Sequence, residues 1–425
     1  MPKFSDLPAR VAARGGIVLF FVMGLEVLIM ISPFAFFFYS VFNPVFRWLG
    51  QCAATRWLTD FFLPHMLLPS TLLLQSIRVL GSVLFIAGCG VFVLCALQVY
   101  LGKLFKWGIA SRGLYRYIRH PQYLALGVWG IGMSILWPRF IVLVTLSIMF
   151  ILYYYLASDE ESRMSRRYGD SYERYRRETG MFFPKLIESQ LSSVARFLPR
   201  SVLNGVTVSA LVVCIVVGSG FLARAVTLRS LPLASQGNVT LLSILPEDRG
   251  LNADVLEGIA KSQREGGHEV LADDKDYLGY VMPPDYIMQG MIADTGGESH
   301  LFHQHQTIGL ITDWVLHPFE HLRRSPSAQM AQMHNVDPSV ARRHHCPIGV
   351  NDTALDCDHC PYRRVILVEV DHPGSTHRSG PALLALDTTR VPTEAIDIDA
   401  RTGEIVNTIK VGRATAWSDV PTPAF

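Results

Sequence analysis

Long apolar runs alternate with short polar stretches through the first half of this chain. Residues 17–42 are apolar apart from Glu26, Pro33 and a few small polar residues. That length predicts a membrane-crossing helix behind a positive flank of Lys3, Arg10 and Arg14. It exceeds a signal-peptide core, and no small-residue cleavage site follows it. Residues 44–78 carry Pro44, Pro64 and Pro69 among apolar residues; two prolines five apart disfavour a straight span, so this segment reads as interfacial or re-entrant. Residues 79–101 form an uncharged second span. The run 122–156, whose only charge is Arg139, is too long for one crossing of about 20 residues and short for two with a loop. Near its middle stands Trp137-Pro138-Arg139. Proline breaks the helix, Trp favours the interface and Arg reaches water, which predicts a tight helical hairpin. Residues 201–223 supply a final uncharged span.

The expected architecture is an α-helical integral membrane domain of about five membrane helices, including the hairpin, followed by an exported α+β domain. Residues 1–200 form the membrane domain, 201–226 the last helix and 227–425 the exported part. Half of the residues are hydrophobic and 17% charged, a balance that suits a membrane protein with a soluble appendage. A net charge of +2 gives no argument for nucleic-acid binding. Where the charges sit matters more. Residues 102–121 and 157–200 together hold fourteen Lys and Arg, against four in residues 44–78 and the Arg139 turn. The positive-inside rule then puts both ends of the hairpin in the cytoplasm and residues 227–425 across the membrane, in the periplasm if the host is a bacterium with an inner membrane.

At the hairpin's two ends lie Arg119-His120-Pro121 and Glu160-Glu161, with Tyr115, Tyr117, Tyr123, Tyr168, Tyr172 and Tyr175 around them. Aromatic faces suit a planar ring, carboxylates suit hydroxyls or a cation, and Arg suits a carboxylate. A small zwitterionic cofactor with a base and a ribose fits that mix; a solvated helix touching anionic lipid head groups is the other reading of the Arg-rich tail. Glu26 is either a group facing an acceptor tunnel or a protonated acid bonded between helices.

The order Gly113-Leu114-Tyr115, Arg119-His120-Pro121-Gln122-Tyr123, Glu160-Glu161, Tyr168-Gly169-Asp170-Ser171-Tyr172 and Phe182-Phe183-Pro184 resembles the isoprenylcysteine carboxyl methyltransferase and phospholipid methyltransferase superfamily over residues 100–185. Ala125 and the closing block Gly180-Met181-Phe182-Phe183-Pro184 depart from the usual pattern. The resemblance implies an S-adenosylmethionine-dependent enzyme acting on a lipophilic small molecule or lipidated acceptor in the bilayer. It implies Tyr115, His120, Pro121, Tyr123, Tyr168 and Tyr172 as cofactor-binding residues, and Arg119, Glu161 and then Glu160 as catalytic ones.

The exported half is expected to hold a helix over 252–265, a strand over 364–370 and a hairpin over 394–411. Twelve of the fourteen His follow residue 227. His300, His303, His305, His344, His345, Cys346, Cys357, His359 and Cys360 are the candidate ligands for zinc, copper or haem. Pro361 after Cys357-Asp358-His359-Cys360 disfavours covalent haem attachment. The competing reading is a structural disulfide with scattered His. A non-enzymatic membrane-anchored metal or redox protein with a vestigial methyltransferase core is therefore the alternative function.

Overall fold

The computed structural model describes residues 45–65 apart from 47, then 67, 71–105, 112–195, 205–264, 271–283 apart from 273, 292–293 and 362–411 apart from 375. The expected first span with Glu26, and all nine His and Cys proposed as metal ligands, lie outside the described residues. Two compact units emerge. One takes in Leu72–Ala223; the other joins the segment ending at Thr71 to the chain from Arg224 onwards.

In the first unit, α1 (Leu72–Leu104) is followed by α2 (Pro121–Leu136), α3 (Phe140–Tyr168), α4 (Asp170–Glu178), α5 (Lys185–Ala195) and α6 (Gly205–Leu228). Among the described helices three are long and apolar enough to cross a membrane: Leu72–Gly102, Phe140–Tyr168 and Gly205–Leu228. Pro121 opens α2 at its first turn, where proline's missing N–H costs nothing. The hairpin expected from Trp137-Pro138-Arg139 is present, since α2 stops at Leu136 and α3 starts at Phe140. Arg139, expected to reach water, is instead buried, its guanidinium 5.4 Å from the Trp137 ring centroid. Its charge is met by an aromatic face, in line with the preference of Arg for π surfaces.

Small residues set the helix spacing. A Cβ on Gly88 of α1 would lie 2.5 Å from Trp129 N of α2, and one on Gly132 of α2 would lie 2.4 Å from Phe85 N of α1. The two backbones thus touch, the packing mode membrane helices use when no hydrophobic driving force separates them from lipid. Gly220 of α6 instead makes room for a side chain, a Cβ there lying 2.5 Å from Leu143 Cδ2 of α3, beside a Phe140–Phe221 ring contact at 4.5 Å.

The second unit is a six-stranded sheet in the order β1 (Leu233–Gln236), β2 (Val239–Ser243), β3 (Asp276–Met282), β4 (Tyr362–Asp371), β5 (Thr389–Asp399), β6 (Ile405–Lys410). Among the described strands only β2 and β3 pair in parallel; α7 (Asn252–Arg264) makes the crossover between them. The predicted helix, strand and hairpin correspond to α7, β4 and β5–β6. Asn252 opens α7, but its side-chain oxygen accepts from the Ser243 hydroxyl at 2.5 Å. One sheet face packs on Val255, Leu256 and Ile259 of α7. The other packs on Leu383, Leu384 and Leu67.

Residues 44–78, read as one interfacial or re-entrant segment, divide between the two units. The part ending at Leu67 belongs to the sheet unit, and α1 begins already at Leu72. Arg224 fastens it: one guanidinium nitrogen donates to Phe61 O and the other to Leu384 O at 2.5 Å. Asp60 lies 3.8 Å from Arg224 and 3.4 Å from Arg390.

On the same unit, buried Asp276 accepts from the Arg378 N–H at 2.7 Å and meets His372 Nε2 at 2.9 Å and His377 Nδ1 at 2.8 Å. Burial alone would raise the Asp276 carboxyl, but that N–H and both imidazoles outweigh it and hold it below the ordinary value. A depressed carboxylate contributes stability that is present above its unfolded pKa and disappears as pH falls through its folded one. Asp276→Asn is therefore expected to lower the unfolding midpoint of the sheet unit at pH 7. Below about pH 4 the gap to wild type should close, as followed by denaturant titration across pH. A gap that stays constant into acid would show that the carboxylate's charge is not what matters.

Candidate active site

The described cluster is built by one turn, one helix end and one returning tail. Gly113, at φ 60, starts a 3-10 turn over Gly113–Arg116. Its left-handed backbone and the 3.3 Å gap from a would-be Cβ to Gln98 Oε1 both favour glycine. Gln98 Nε2 donates to Arg112 O at 2.8 Å and pins the turn to α1. At the far end of α3, Gly169 takes φ 51, and the chain re-enters helix as α4, with Asp170 and Glu173 in its first turn and Arg176 and Arg177 in its last. That charge order suits the helix dipole.

The tail then runs under the turn. Arg119 N donates to Gly180 O at 2.8 Å, His120 N to Met181 O at 3.0 Å, and Gly180 N to Tyr117 O at 3.3 Å. Tyr175 Oη donates to Tyr115 O at 2.5 Å. Glu188 Oε1 accepts from the N–H groups of Phe182 and Phe183 at 2.9 and 3.2 Å, which shapes the Phe182-Phe183-Pro184 block.

Side chains of the two predicted clusters meet. Arg119 Nε donates to Glu161 Oε1 at 2.6 Å, while Nη1 reaches Thr179 O and, at 3.1 Å, Arg176 O. Arg119 is thus spent on holding the tail. His120 is buried, with Nδ1 3.5 Å from Glu160 Oε2 and Nε2 3.4 Å from Glu161 Oε1, yet neither nitrogen makes a hydrogen bond. Tyr123 Oη donates to Glu160 Oε1 at 3.0 Å, and its ring stacks on His120 at 5.6 Å. Phe182 lies 6.1 Å from His120 on a tilt.

The carboxylates divide the work. The Glu161 side chain is 13% exposed and committed to Arg119, whereas that of Glu160 is 39% exposed. Glu160, placed second in the sequence reading, is therefore the acid with a free approach. Outside the helical spans, burial pushes the Tyr115 and Tyr172 hydroxyls well above the ordinary tyrosine value and Tyr175 up to about 12. All three stay neutral donors. Tyr172 and Tyr175 pack with ring centroids 6.0 Å apart, and Tyr115 donates to Gln122 Oε1 at 2.9 Å. Tyr168 instead lies beneath Arg167, whose guanidinium is 5.4 Å from its ring.

Thr179, the backbone of Gly180 and Met181, and Glu188 did not stand out in the sequence. Their roles are carried by carbonyls and N–H groups, which leave little trace in residue type. For metals, no group of three or more His, Cys, Asp or Glu that could hold an ion occurs among the described residues.

Comparison with known proteins adds an independent line. A family model for phospholipid methyltransferase matches residues 76–171. The Protein-S-isoprenylcysteine O-methyltransferase of Schizosaccharomyces pombe is 28% identical over 108 residues, covering 22% of this chain and 45% of the relative. The chain therefore spans under half the length of that relative. No solved structure matches it. Residues 76–171, which hold Arg119, His120, Tyr123, Glu160 and Glu161 of the cluster but not Tyr172, Tyr175 or the returning tail, therefore resemble the superfamily of phospholipid and isoprenylcysteine methyltransferases.

Proposed function

We propose that this protein is a membrane-embedded S-adenosylmethionine-dependent methyltransferase whose acceptor is a lipophilic or membrane-associated molecule. The observation that carries the reading is the closure of the two charged clusters: Arg119 on Glu161 at 2.6 Å and Tyr123 on Glu160 at 3.0 Å, around a buried His120. The residues fit such a cofactor. Glu160 offers an approachable carboxylate for a hydroxyl or a positive charge, the nitrogens of His120 lack hydrogen bonds, and Tyr123 and Phe182 offer ring faces.

Once bound, the cofactor supplies a methyl group already activated on a sulfonium sulfur. The chain's task is then alignment and exclusion of water. Arg119, through Thr179 and Arg176, keeps the tail folded over the turn; Glu160 and His120 orient the polar ligand; the Phe182 ring shields His120 from one side.

The positive-inside charge pattern supports a cytoplasmic cluster and residues 227–425 on the other side of a membrane. Parity supports it too. The segment ending at Thr71 and the chain from Arg224 share one folding unit, so the chain between them crosses an even number of times. With α1, α3 and α6 as crossings, α2 makes the fourth.

Labelled S-adenosylmethionine should bind the purified full-length protein saturably. Glu160→Gln, which removes a charge but no volume, should weaken that binding about 10-fold or more without shifting the melting temperature. Wild-type protein that binds no cofactor would overturn the reading.

A further inference from the structure

The hairpin holds a polar atom that the cluster does not use. Tyr153 lies on α3 seven residues before Glu160, so both fall on one helix face about two turns apart. Its ring is 6% exposed and stacks on Tyr123 with centroids 5.3 Å apart and planes at 15°. Tyr123 in turn stacks on His120 at 5.6 Å and 19°. Three rings therefore run in series from the charged cluster into the apolar part of the hairpin. Tyr154 and Tyr155, the next two residues, are 54% and 44% exposed, so the inward one of the three is singled out by its face.

Three other hydroxyls of this hairpin have partners. Ser134 donates to Ile131 O at 2.9 Å, Ser147 to Leu143 O at 2.8 Å, and Tyr123 to Glu160. The Tyr153 hydroxyl is buried and has no hydrogen-bond partner. Phenylalanine would fill the same volume without leaving a donor unpaired, so a phenol here is destabilising unless something with an accepting atom comes to it. Around it the buried face of α3 is apolar: Leu146, Met149 and Ala157. A charged, ribose-bearing cofactor finds its partners at the cluster; a lipophilic acceptor with its tail in the bilayer is the ligand whose polar end passes this level.

We infer that Tyr153 is the acceptor-positioning residue, its hydroxyl donating to one oxygen of a carboxylate on the methyl acceptor. This rests on the proposed methyltransferase reading and deepens it. In the transfer, the other carboxylate oxygen forms the new O–CH3 bond while the carbon–sulfur bond breaks. The electron pair stays on sulfur, which becomes a neutral thioether. No proton is released, so no base is required and Tyr153 keeps its own proton throughout.

The test uses full-length protein in lipid nanodiscs, with N-acetyl-S-farnesylcysteine as the carboxylate probe and phosphatidylethanolamine as the amine probe. For Tyr153→Phe the expected results are a cofactor Kd within two-fold of wild type and a KM for the carboxylate probe raised about 10–100-fold, with a smaller change in kcat. Without ligand the melting temperature should be unchanged or higher. The thermal stabilisation that the carboxylate probe gives wild type without cofactor should vanish in the variant. An unchanged KM and unchanged probe binding would overturn the inference. So would loss of cofactor binding in step with acceptor binding, a melting temperature lowered by several degrees, or methyl transfer by wild type to the amine probe and not to the carboxylate. Wild-type protein that binds no cofactor would instead overturn the methyltransferase reading and this inference with it.

Discussion

Glu161→Ala is expected to abolish methyl transfer by unfastening the cluster. Arg119 is 8% exposed in its side chain and has Glu161 as its anionic partner at 2.6 Å. Removing the carboxylate leaves a buried guanidinium without compensation, a change that costs about 3–5 kcal/mol where an exposed pair would cost at most about 1. Arg119 also holds the Thr179 and Arg176 carbonyls, so the returning tail loosens with it. Thermal unfolding and limited proteolysis of residues 168–188 should both report the loss, alongside absent cofactor binding. Glu160→Gln is the contrast, because Glu160 pairs with nothing that braces the tail. A Glu161→Ala protein with normal melting and normal protease resistance, but no activity, would make Glu161 a direct ligand instead.

The second large effect is expected in the sheet unit. Arg224→Ala should lower its stability by about 3–5 kcal/mol, since two buried carbonyls, Phe61 O and Leu384 O, lose their donor and Asp60 loses one of two cations. Arg224→Lys should recover part of that. It restores the charge, but a single ammonium cannot fork to two carbonyls as a guanidinium does. Hydrogen exchange in β3 and β4, read against denaturant, checks both. Equal loss in the two variants would mean the fork geometry is irrelevant.

Much of the membrane half could be read from its residues because its constraints are coarse. A run of 35 residues with Trp137-Pro138-Arg139 at its middle has few ways to satisfy a bilayer other than by turning back. The meeting of Arg119-His120 with Glu160-Glu161 followed from that turn. The roles within the cluster did not follow, because exposure decides them: Glu160 and Glu161 are chemically identical neighbours, and only the 39% and 13% exposures separate them. Tyr153 was hidden among three consecutive tyrosines for the same reason.

In the sheet unit the legible strands were β4 and the β5–β6 hairpin, the latter marked by its turn at Ala400-Arg401-Thr402-Gly403. β2 and β3 were missed. Every residue of both is buried, so they lack the alternation that marks a strand with one wet face. The place of Leu67 and Phe61 in that unit depends on contacts far along the chain, which no local pattern encodes.

That long-range closure has a consequence for synthesis. Phe61 and Arg224 are 163 residues apart, so the ribosome delivers the first half of this clasp well before the second. The hairpin and its tail are translated in between. Until β4 and β5 emerge, Leu67 has no complete sheet to cover. A gene split at the end of α6 would leave a C-terminal fragment missing Asp60, Phe61 and Leu67, and a membrane fragment carrying them without the sheet they pack with. The sheet unit is completed by a strip of chain on the far side of the membrane helices in sequence, which couples the folding of the two halves.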